Sequence, residues 1–167
     1  MTFIVIGVDG GGSKTRVVVA DEEGTQLGEV VGPASAVRPG QAERSAEVIA
    51  TTVRDALASC EMTHVMPKVL CVGVAGVARE AERQALWQAL VGRELAEETV
   101  VHTDFSVGLD DACGEGPGVL LISGTGSVAF GRSPAGTVGR CGGWGPMCGD
   151  EGSGAWIGRR ALSVVTA

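Results

Sequence analysis

The sequence predicts an α/β fold in which an antiparallel hairpin edge is joined to parallel βα units. Residues 3–19 contain an apolar run, three consecutive glycines and a β-branched run, which is typical of a strand, a tight turn and a second strand. A third strand is predicted over Thr25–Val31. Amphipathic helices and short apolar runs then alternate along the chain. The predicted order, β-β-β-α-β-α-β-α, is typical of the ribonuclease-H-like fold.

Helix and strand patterns alternate after this edge. A loop rich in Pro and Gly, over 32–40, precedes a helix whose apolar positions recur every three or four residues, at Ala42, Ala46, Ile49, Val53, Ala56 and Cys60. The run Val69–Ala75 is almost wholly apolar, which predicts a strand buried on both faces. A second helix is predicted over about 79–91, with apolar positions at Ala85, Leu86, Leu90 and Val91.

A candidate catalytic carboxylate follows the next strand. Thr99–Thr103 is predicted to be a strand that leads to Asp104, and a helix over about 106–113 is predicted to end at Gly114. Asp104 therefore lies at the C-terminal end of a strand, where open α/β sheets bind ligands. The alternative is that Asp104 only caps the helix that follows.

The chain then repeats the pattern with which it begins. An apolar strand over 119–123, a glycine turn over 124–127 and a returning strand over 128–131 are followed by a further turn and strand. This self-similarity predicts a duplicated domain, with a first lobe over 1–115 and the incomplete beginning of a second lobe over 116–167. The alternative is that any two three-stranded meanders look alike.

The first glycine turn is a candidate anion site. Asp9 precedes Gly10–Gly12, and Ser13, Lys14 and Thr15 follow. Glycines let backbone N–H groups approach a ligand closely, so such a turn can hold phosphate oxygens. It is not a Walker loop, because Ser13 separates the last glycine from Lys14, and it is not a dinucleotide fingerprint, because a strand follows it. An ordinary hairpin turn without a ligand remains the alternative.

A second unusual segment covers 141–154. It holds six glycines around Trp144, with Asp150 and Glu151 side by side. Such a loop is costly in conformational entropy, which favours a functional role. The alternatives are that Trp144 only packs and that the acids only favour the N-terminus of the following helix. That helix is predicted over about 155–165 on the apolar residues Ile157, Ala161, Leu162 and Val165.

Composition excludes several classes of function. The 167 residues carry a net charge of −7, which disfavours a surface built to bind nucleic acid. No apolar run approaches the ~20 residues needed to span a bilayer, and the N-terminus has no signal-peptide pattern, so we expect a cytoplasmic protein without a membrane partner. The five scattered cysteines are expected to be free thiols.

Four motifs in this order resemble the N-acetylglucosamine kinase branch of the BadF/BadG/BcrA/BcrD ATPase family, within the actin-like, sugar-kinase and Hsp70 superfamily. They are Asp9–Thr15, Thr103-Asp104, Leu121–Ser127, and the loop from Cys141-Gly142-Gly143-Trp144-Gly145 through Ser153. The resemblance covers essentially the whole chain. It implies an actin-like ATPase fold and ATP-dependent phosphorylation of a hexose or amino sugar at the 6-hydroxyl. The substrates that it favours most are N-acetylglucosamine and glucosamine.

The resemblance also implies roles for particular residues, with ATP and Mg²⁺ as cofactors. Asp104 would be the catalytic base, and Asp9 would hold Mg²⁺. The nucleotide phosphates would contact two turns, made of Gly10, Gly11, Gly12, Ser13, Lys14, Thr15, Gly124, Thr125 and Gly126. The sugar would contact Ser35, Asp104, Ser127, Gly143, Trp144 and Asp150. Where the family has an Asn in the loop after the third strand, this chain has Ser35.

Further expectations and alternatives accompany the resemblance. We expect the chain to be inactive by itself because its second lobe is incomplete, and the full-length protein to form a homodimer. One alternative is an ATPase activator that passes electrons to a 2-hydroxyacyl-CoA dehydratase through an iron–sulfur cluster. Another is a sugar sensor without catalysis.

Overall fold

The computed structural model describes residues 3–166 and contains two sheets. The chain divides into two compact units between Val107 and Gly108. The lobe boundary at residue 115 stays a prediction. Among the described residues, no helix is long and apolar enough to cross a bilayer.

The first unit is built on a five-stranded sheet of order β3-β2-β1-β4-β5. Its strands are β1 (Ile4–Gly10), β2 (Thr15–Asp21), β3 (Gln26–Gly32), β4 (Val69–Val74) and β5 (Glu98–Thr103). The first three strands are antiparallel, whereas β1, β4 and β5 run parallel. This confirms the predicted hairpin edge followed by βα units, and it brings the C-terminal ends of β1, β4 and β5 to one edge of the sheet.

Two helices, α1 (Ala42–Ser59) and α2 (Glu80–Val91), form the first unit's core with the sheet. Helix α1 packs on β1, β2, β3 and α2, and α2 packs on β5. Alternate residues of the central strands are buried in this core: Ile4, Ile6, Val8, Val17, Val19, Leu70, Val72 and Val74. Each fully buried aliphatic side chain stabilises the fold by about 1.5–3 kcal/mol.

One prediction about burial in this unit is wrong, and the apolar positions of α2 are only partly covered. Strand β4 is not fully buried on both faces: on the face away from α1 and α2, Gly73 is buried but Val69 and Cys71 are only partly buried. The predicted helix α2 is confirmed; of its four apolar positions, Leu86 and Leu90 are buried, whereas Ala85 and Val91 are exposed. Burial alternates along the first residues of β4 because helices α1 and α2 both cover the same face of the sheet.

Helix α3 (Asp104–Cys113) spans the division between the units, and it begins two residues earlier than predicted. Gly114 ends it in left-handed geometry, with φ 56°, as predicted. The second unit then contains a three-stranded antiparallel sheet of β6 (Gly118–Ser123), β7 (Ser127–Arg132) and β8 (Val138–Gly142). The meander is as predicted, whereas its being a second copy of the first unit stays a prediction.

The last element is helix α4 (Gly154–Val165). None of its described side chains is buried. Its predicted apolar positions are exposed, with 56% of Ile157, 67% of Leu162 and 83% of Val165 accessible. The prediction of the helix is confirmed.

Candidate active site

Asp104 is the first residue of α3 and follows β5 directly. The N-cap of α3 is its neighbour Thr103, whose Oγ1 accepts a hydrogen bond from the backbone N–H of Ser106 at 3.3 Å and contacts the Ser106 hydroxyl at 2.6 Å. The carboxylate of Asp104 accepts a hydrogen bond from the adjacent N–H of Phe105, at 3.0 Å. The alternative that Asp104 is the helix cap is therefore wrong.

Gly73 allows α3 to approach the sheet. It lies on β4 beside β5, and a Cβ at this position would come within 2.8 Å of Cγ2 of Val107. Real Cβ contacts of that length do not occur, so a side chain at Gly73 would require Val107 or the first turn of α3 to shift. Since Asp104 begins that turn, the glycine helps to position the carboxylate.

The environment of Asp104 raises its pKa above the ordinary value. The largest cause is burial, which disfavours the charged carboxylate, and the negative charge of Asp9 adds to it. The hydrogen bond from the N–H of Phe105 acts in the opposite direction. A raised pKa makes a carboxylate a stronger base, which is the property that proton abstraction requires.

This pKa shift gives a prediction about stability. Asp104→Asn is expected to stabilise the folded chain at neutral pH, because the raised pKa means that the charged carboxylate destabilises the fold as pH rises through the folded-state pKa. An Asn oxygen can still accept from Phe105. Urea unfolding of both forms between pH 3 and 8 should give stabilities that differ least below the unfolded-state pKa, about 3.9. The two curves of stability against pH should separate between that pH and the folded-state pKa and run parallel above it. A less stable variant at pH 7 would mean that the charge supports the helix.

Asp9 is an exposed carboxylate on β1. Its cross-strand neighbour Arg16 is held instead by Glu29, with Nε to Oε1 at 2.7 Å and a second nitrogen to Oε2 at 2.9 Å. No ion-pair partner of Asp9 occurs among residues 3–166. Asp9, whose charge adds to the raised pKa of Asp104, offers carboxylate oxygens of the kind that Mg²⁺ takes beside phosphates and water. An unpaired carboxylate at this position fits the cation, and Mg²⁺ at Asp9 stays a prediction.

The first glycine turn is closed by a hydrogen bond from the N–H of Gly11 to the carbonyl oxygen of Lys14, at 2.9 Å. Gly12, Ser13 and Lys14 are exposed at its tip, and a Cβ on Gly12 would meet open space. The carbonyl oxygen of Gly11 accepts from the N–H groups of the loop after β3, at 3.2 and 3.1 Å. The tip is accessible to an anion, as the sequence predicts, while its base is fixed.

Thr15 and Ser35 differ from the other residues assigned to ligands. Both are buried, and the Thr15 hydroxyl contacts the Ser35 hydroxyl at 2.7 Å and the carbonyl oxygen of Pro33 at 2.6 Å. A Cβ on Gly10 would lie 2.6 Å from Oγ of Ser35, so the loop is packed against the end of β1. In this structure both hydroxyls hold the loop to the turn. Their contact with a ligand stays a prediction.

The second unit contains the other glycine turn, Gly124–Gly126. Its carbonyl oxygens accept from the first N–H groups of α4: Gly154 donates to Gly124 at 2.8 Å, and Ala155 donates to Thr125 at 3.3 Å. These bonds and the N-cap Ser153, which accepts from Trp156, satisfy the start of the helix. Whether this turn binds phosphate stays a prediction.

Asp150 is buried and closes the glycine-rich loop. Its Oδ1 accepts from the N–H of Gly145 at 3.2 Å, and its Oδ2 lies where a Cβ on Gly126 would come within 2.7 Å. It has a left-handed φ of 63° and precedes the helix cap by three residues, so it is not a first-turn acid. Ser127 likewise donates to the carbonyl oxygen of Glu151 at 2.7 Å. Sugar contacts by Ser127 and Asp150 stay predictions.

Trp144 is 72% exposed, which argues against a role in packing. The Arg140 guanidinium lies 5.3 Å from the centre of its ring, in cation–π geometry. Gly143 next to it has a φ of 70°, and a Cβ there would meet Val128 at 2.8 Å. An accessible indole that is held by its neighbours can stack on an apolar face of a ligand.

Sequence reasoning missed three side chains near these positions. Thr is a common helix cap, so Thr103 could have been identified as the N-cap of α3 from the sequence. It was missed because the helix was predicted to begin at about residue 106, two residues too late. Arg140 could not have been paired with Trp144 from spacing alone. Arg38, in the loop after β3, belongs to no recognised motif, so its position beside the first glycine turn was not predicted.

The sheet order, the glycine turn and Asp104 define an α/β protein with the fold of the actin-like sugar kinases. The chain belongs to the BadF/BadG/BcrA/BcrD ATPase family, whose model matches residues 6–167. The resemblance found in the sequence is thereby confirmed.

Two curated relatives are named as amino-sugar kinases. The N-acetylmuramic acid/N-acetylglucosamine kinase of Clostridium acetobutylicum is 31% identical over 96% of this chain and 52% of its own length. The N-acetyl-D-glucosamine kinase of Dictyostelium discoideum is 32% identical over 97% of this chain and 54% of its own length. A solved structure provisionally assigned as an N-acetylglucosamine kinase, from Chromobacterium violaceum, has a TM-score of 0.80 at 30% identity, over 98% of this chain and 57% of that one. The chain thus spans about half the length of these relatives.

Proposed function

We propose that this chain is part of a cytoplasmic kinase that transfers a phosphoryl group from ATP to the 6-hydroxyl of a hexose or amino sugar. The observation that carries the proposal is the half-buried Asp104 carboxylate at the end of β5, with its raised pKa. The names of the curated relatives support an amino sugar as the substrate. By itself the chain is proposed to turn over little or not at all, because it spans only about half the length of those relatives.

Asp104 acts as the general base in this mechanism. Its carboxylate accepts the proton of the attacking sugar hydroxyl while the oxygen bonds to phosphorus, and the carboxyl group releases that proton to solvent afterwards. Burial raises the pKa of Asp104 and so strengthens it as a base. The short bond to Phe105 and the cap at Thr103 fix the carboxylate relative to β5.

Positioning of the phosphates is assigned to the glycine turns. Gly12 and Ser13 lie at the accessible tip of the first turn, and the Lys14 ammonium provides positive charge there. We assign Gly124–Gly126 to the same task, as part of a second copy of the fold that β6–β8 begin. Asp9 would hold Mg²⁺, which when bound neutralises the charge on the phosphate oxygens.

The two relatives indicate which sugars to consider. Both names include N-acetylglucosamine, and the name from Clostridium acetobutylicum adds N-acetylmuramic acid, which carries a carboxylate on its lactyl ether. We propose N-acetylglucosamine, glucosamine and this acidic sugar as candidate substrates. Trp144 is assigned to the face of the sugar ring, because its indole is exposed and held by Arg140.

The product tests the proposal. The complete enzyme, incubated with ATP, Mg²⁺ and N-acetylglucosamine, should form a phosphomonoester whose phosphorus couples to the two protons on C6 in nuclear magnetic resonance spectra. Coupling to the proton on C1 instead would overturn the assignment to the 6-hydroxyl. Formation of ADP without a sugar phosphate would contradict the kinase itself.

A further inference from the structure

A small cavity lies between the first glycine turn and the start of α1, within the first unit. Its volume is about 140 Å³. It is lined by Gly12, Ala34, Ala36, Arg38, Gln41, Arg44 and Ser45. Ser45 is buried, and its hydroxyl donates to the carbonyl oxygen of Ala36 at 3.4 Å. We call this cavity the Arg38–Arg44 pocket.

Both guanidinium groups of the pocket lack a partner among the described residues. The acidic residues nearest to Arg44 along α1 form ion pairs with a different arginine. Arg93 pairs with Glu43 at 2.9 Å and with Glu47 at 3.3 Å. No acidic side chain lines the pocket. Arg38 and Arg44 are both exposed, so in a chain with 20 acidic and 13 basic residues the pocket presents two unneutralised positive charges to solvent.

The chemistry of the pocket fits a carboxylate. Guanidinium groups bind planar carboxylates with two parallel hydrogen bonds, and the amide of Gln41 can donate a further one. The volume of about 140 Å³ is ample for a substituent that bears a carboxylate. Phosphate has related chemistry, so a test must separate the two anions.

The position of the pocket connects it with the sugar. Ala34 and Ala36 flank Ser35, which the family resemblance assigns to the sugar, and Gly12 is at the tip of the turn assigned to phosphate. The small side chains of Ala34 and Ala36 leave room for a substituent that a neutral amino sugar lacks. We propose that the Arg38–Arg44 pocket binds the carboxylate of an acidic amino sugar, so that the enzyme accepts it beside the neutral one. This inference rests on the proposed kinase function.

The test compares the acidic and neutral sugars in the complete enzyme. Arg38→Gln together with Arg44→Gln should lower the ratio of kcat/KM for N-acetylmuramic acid to that for N-acetylglucosamine by at least about tenfold, as expected for lost charge-assisted hydrogen bonds. The matched control is Arg54→Gln, an exposed arginine on the same helix but outside the pocket, which should leave the ratio within about twofold. Calorimetric binding of both sugars provides a readout that does not depend on turnover.

Each other outcome decides against the inference. If the wild-type enzyme phosphorylates N-acetylglucosamine but rejects the acidic sugar, or if the double variant changes both sugars equally, the pocket does not bind the carboxylate and the kinase function still holds. If inorganic phosphate binds the wild-type protein and the double variant loses that binding without a change in the sugar ratio, the pocket is a phosphate site. If neither sugar is phosphorylated, the proposed function fails and the inference fails with it.

Discussion

Replacing Asp104 by Asn is expected to lower kcat for sugar phosphorylation in the complete enzyme by roughly 10²–10⁴-fold, the usual effect of losing a general base. The amide has almost the same shape and still accepts from the N–H of Phe105, so α3 should stay in place. Because Thr103 supplies the helix cap and an Asn side chain can still form a hydrogen bond with a sugar hydroxyl, sugar binding should be largely preserved. Steady-state kinetics together with calorimetric sugar binding would separate the chemical step from affinity.

A matched control for Asp104→Asn is available on the same helix. Asp111→Asn makes the same chemical change at an exposed residue of α3 and should leave kcat within about twofold. Undiminished phosphorylation by Asp104→Asn would remove Asp104 from the role of base. A loss of sugar binding equal to the loss of kcat would assign it to ground-state recognition instead.

Gly76→Ala is expected to lower the free energy of unfolding of the first unit by roughly 3 kcal/mol or more. Gly76 follows β4 with a φ of 93°, and a Cβ there would lie 2.0 Å from the backbone oxygen of Val37. The adjacent N–H of Val37 donates to Ala75 at 2.9 Å, so backbone and not a flexible side chain would have to move. Urea unfolding, followed through Trp87 with Trp144 and Trp156 replaced by Phe, reports on this unit.

Gly7→Ala is the control for this change in the same sheet. A Cβ on Gly7 meets nothing within 4 Å, and its φ is not left-handed. The urea concentration at the midpoint of unfolding of the Gly7→Ala variant should stay close to that of the parent protein. Equal stability of the Gly76→Ala and Gly7→Ala variants would contradict the close approach of the loop after β3 to the end of β4.

Periodicity made most of the fold predictable. The helix over 42–59 is set by a repeating apolar face, and β1 and β4 are set by apolar runs, so their existence and order follow from local sequence. What periodicity could not give is which faces are covered. Val91 has the right spacing on α2 and Leu162 has it on α4, yet both are exposed, because burial depends on partners distant in sequence.

Site residues could be predicted where their type and position in the sequence are unusual. They could not be predicted where their role depends on a contact with a residue elsewhere in the fold. The position of Asp104 after a strand could be read from the sequence, but the identity of the helix cap beside it depended on the hydroxyl of Thr103. Burial of Ser35 follows from its contact with Thr15, 20 residues away, and no local pattern contains that information. The unneutralised charge of Arg44 similarly depends on where Arg93 lies.

The release of ADP by the complete enzyme with and without an amino sugar tests the central claim most directly. Measured by a coupled assay with N-acetylglucosamine, glucosamine and glucose, ADP release should depend strictly on a sugar and be fastest with an N-acetylated one. ADP release at the same rate without any sugar would contradict a kinase and favour the ATPase-activator alternative.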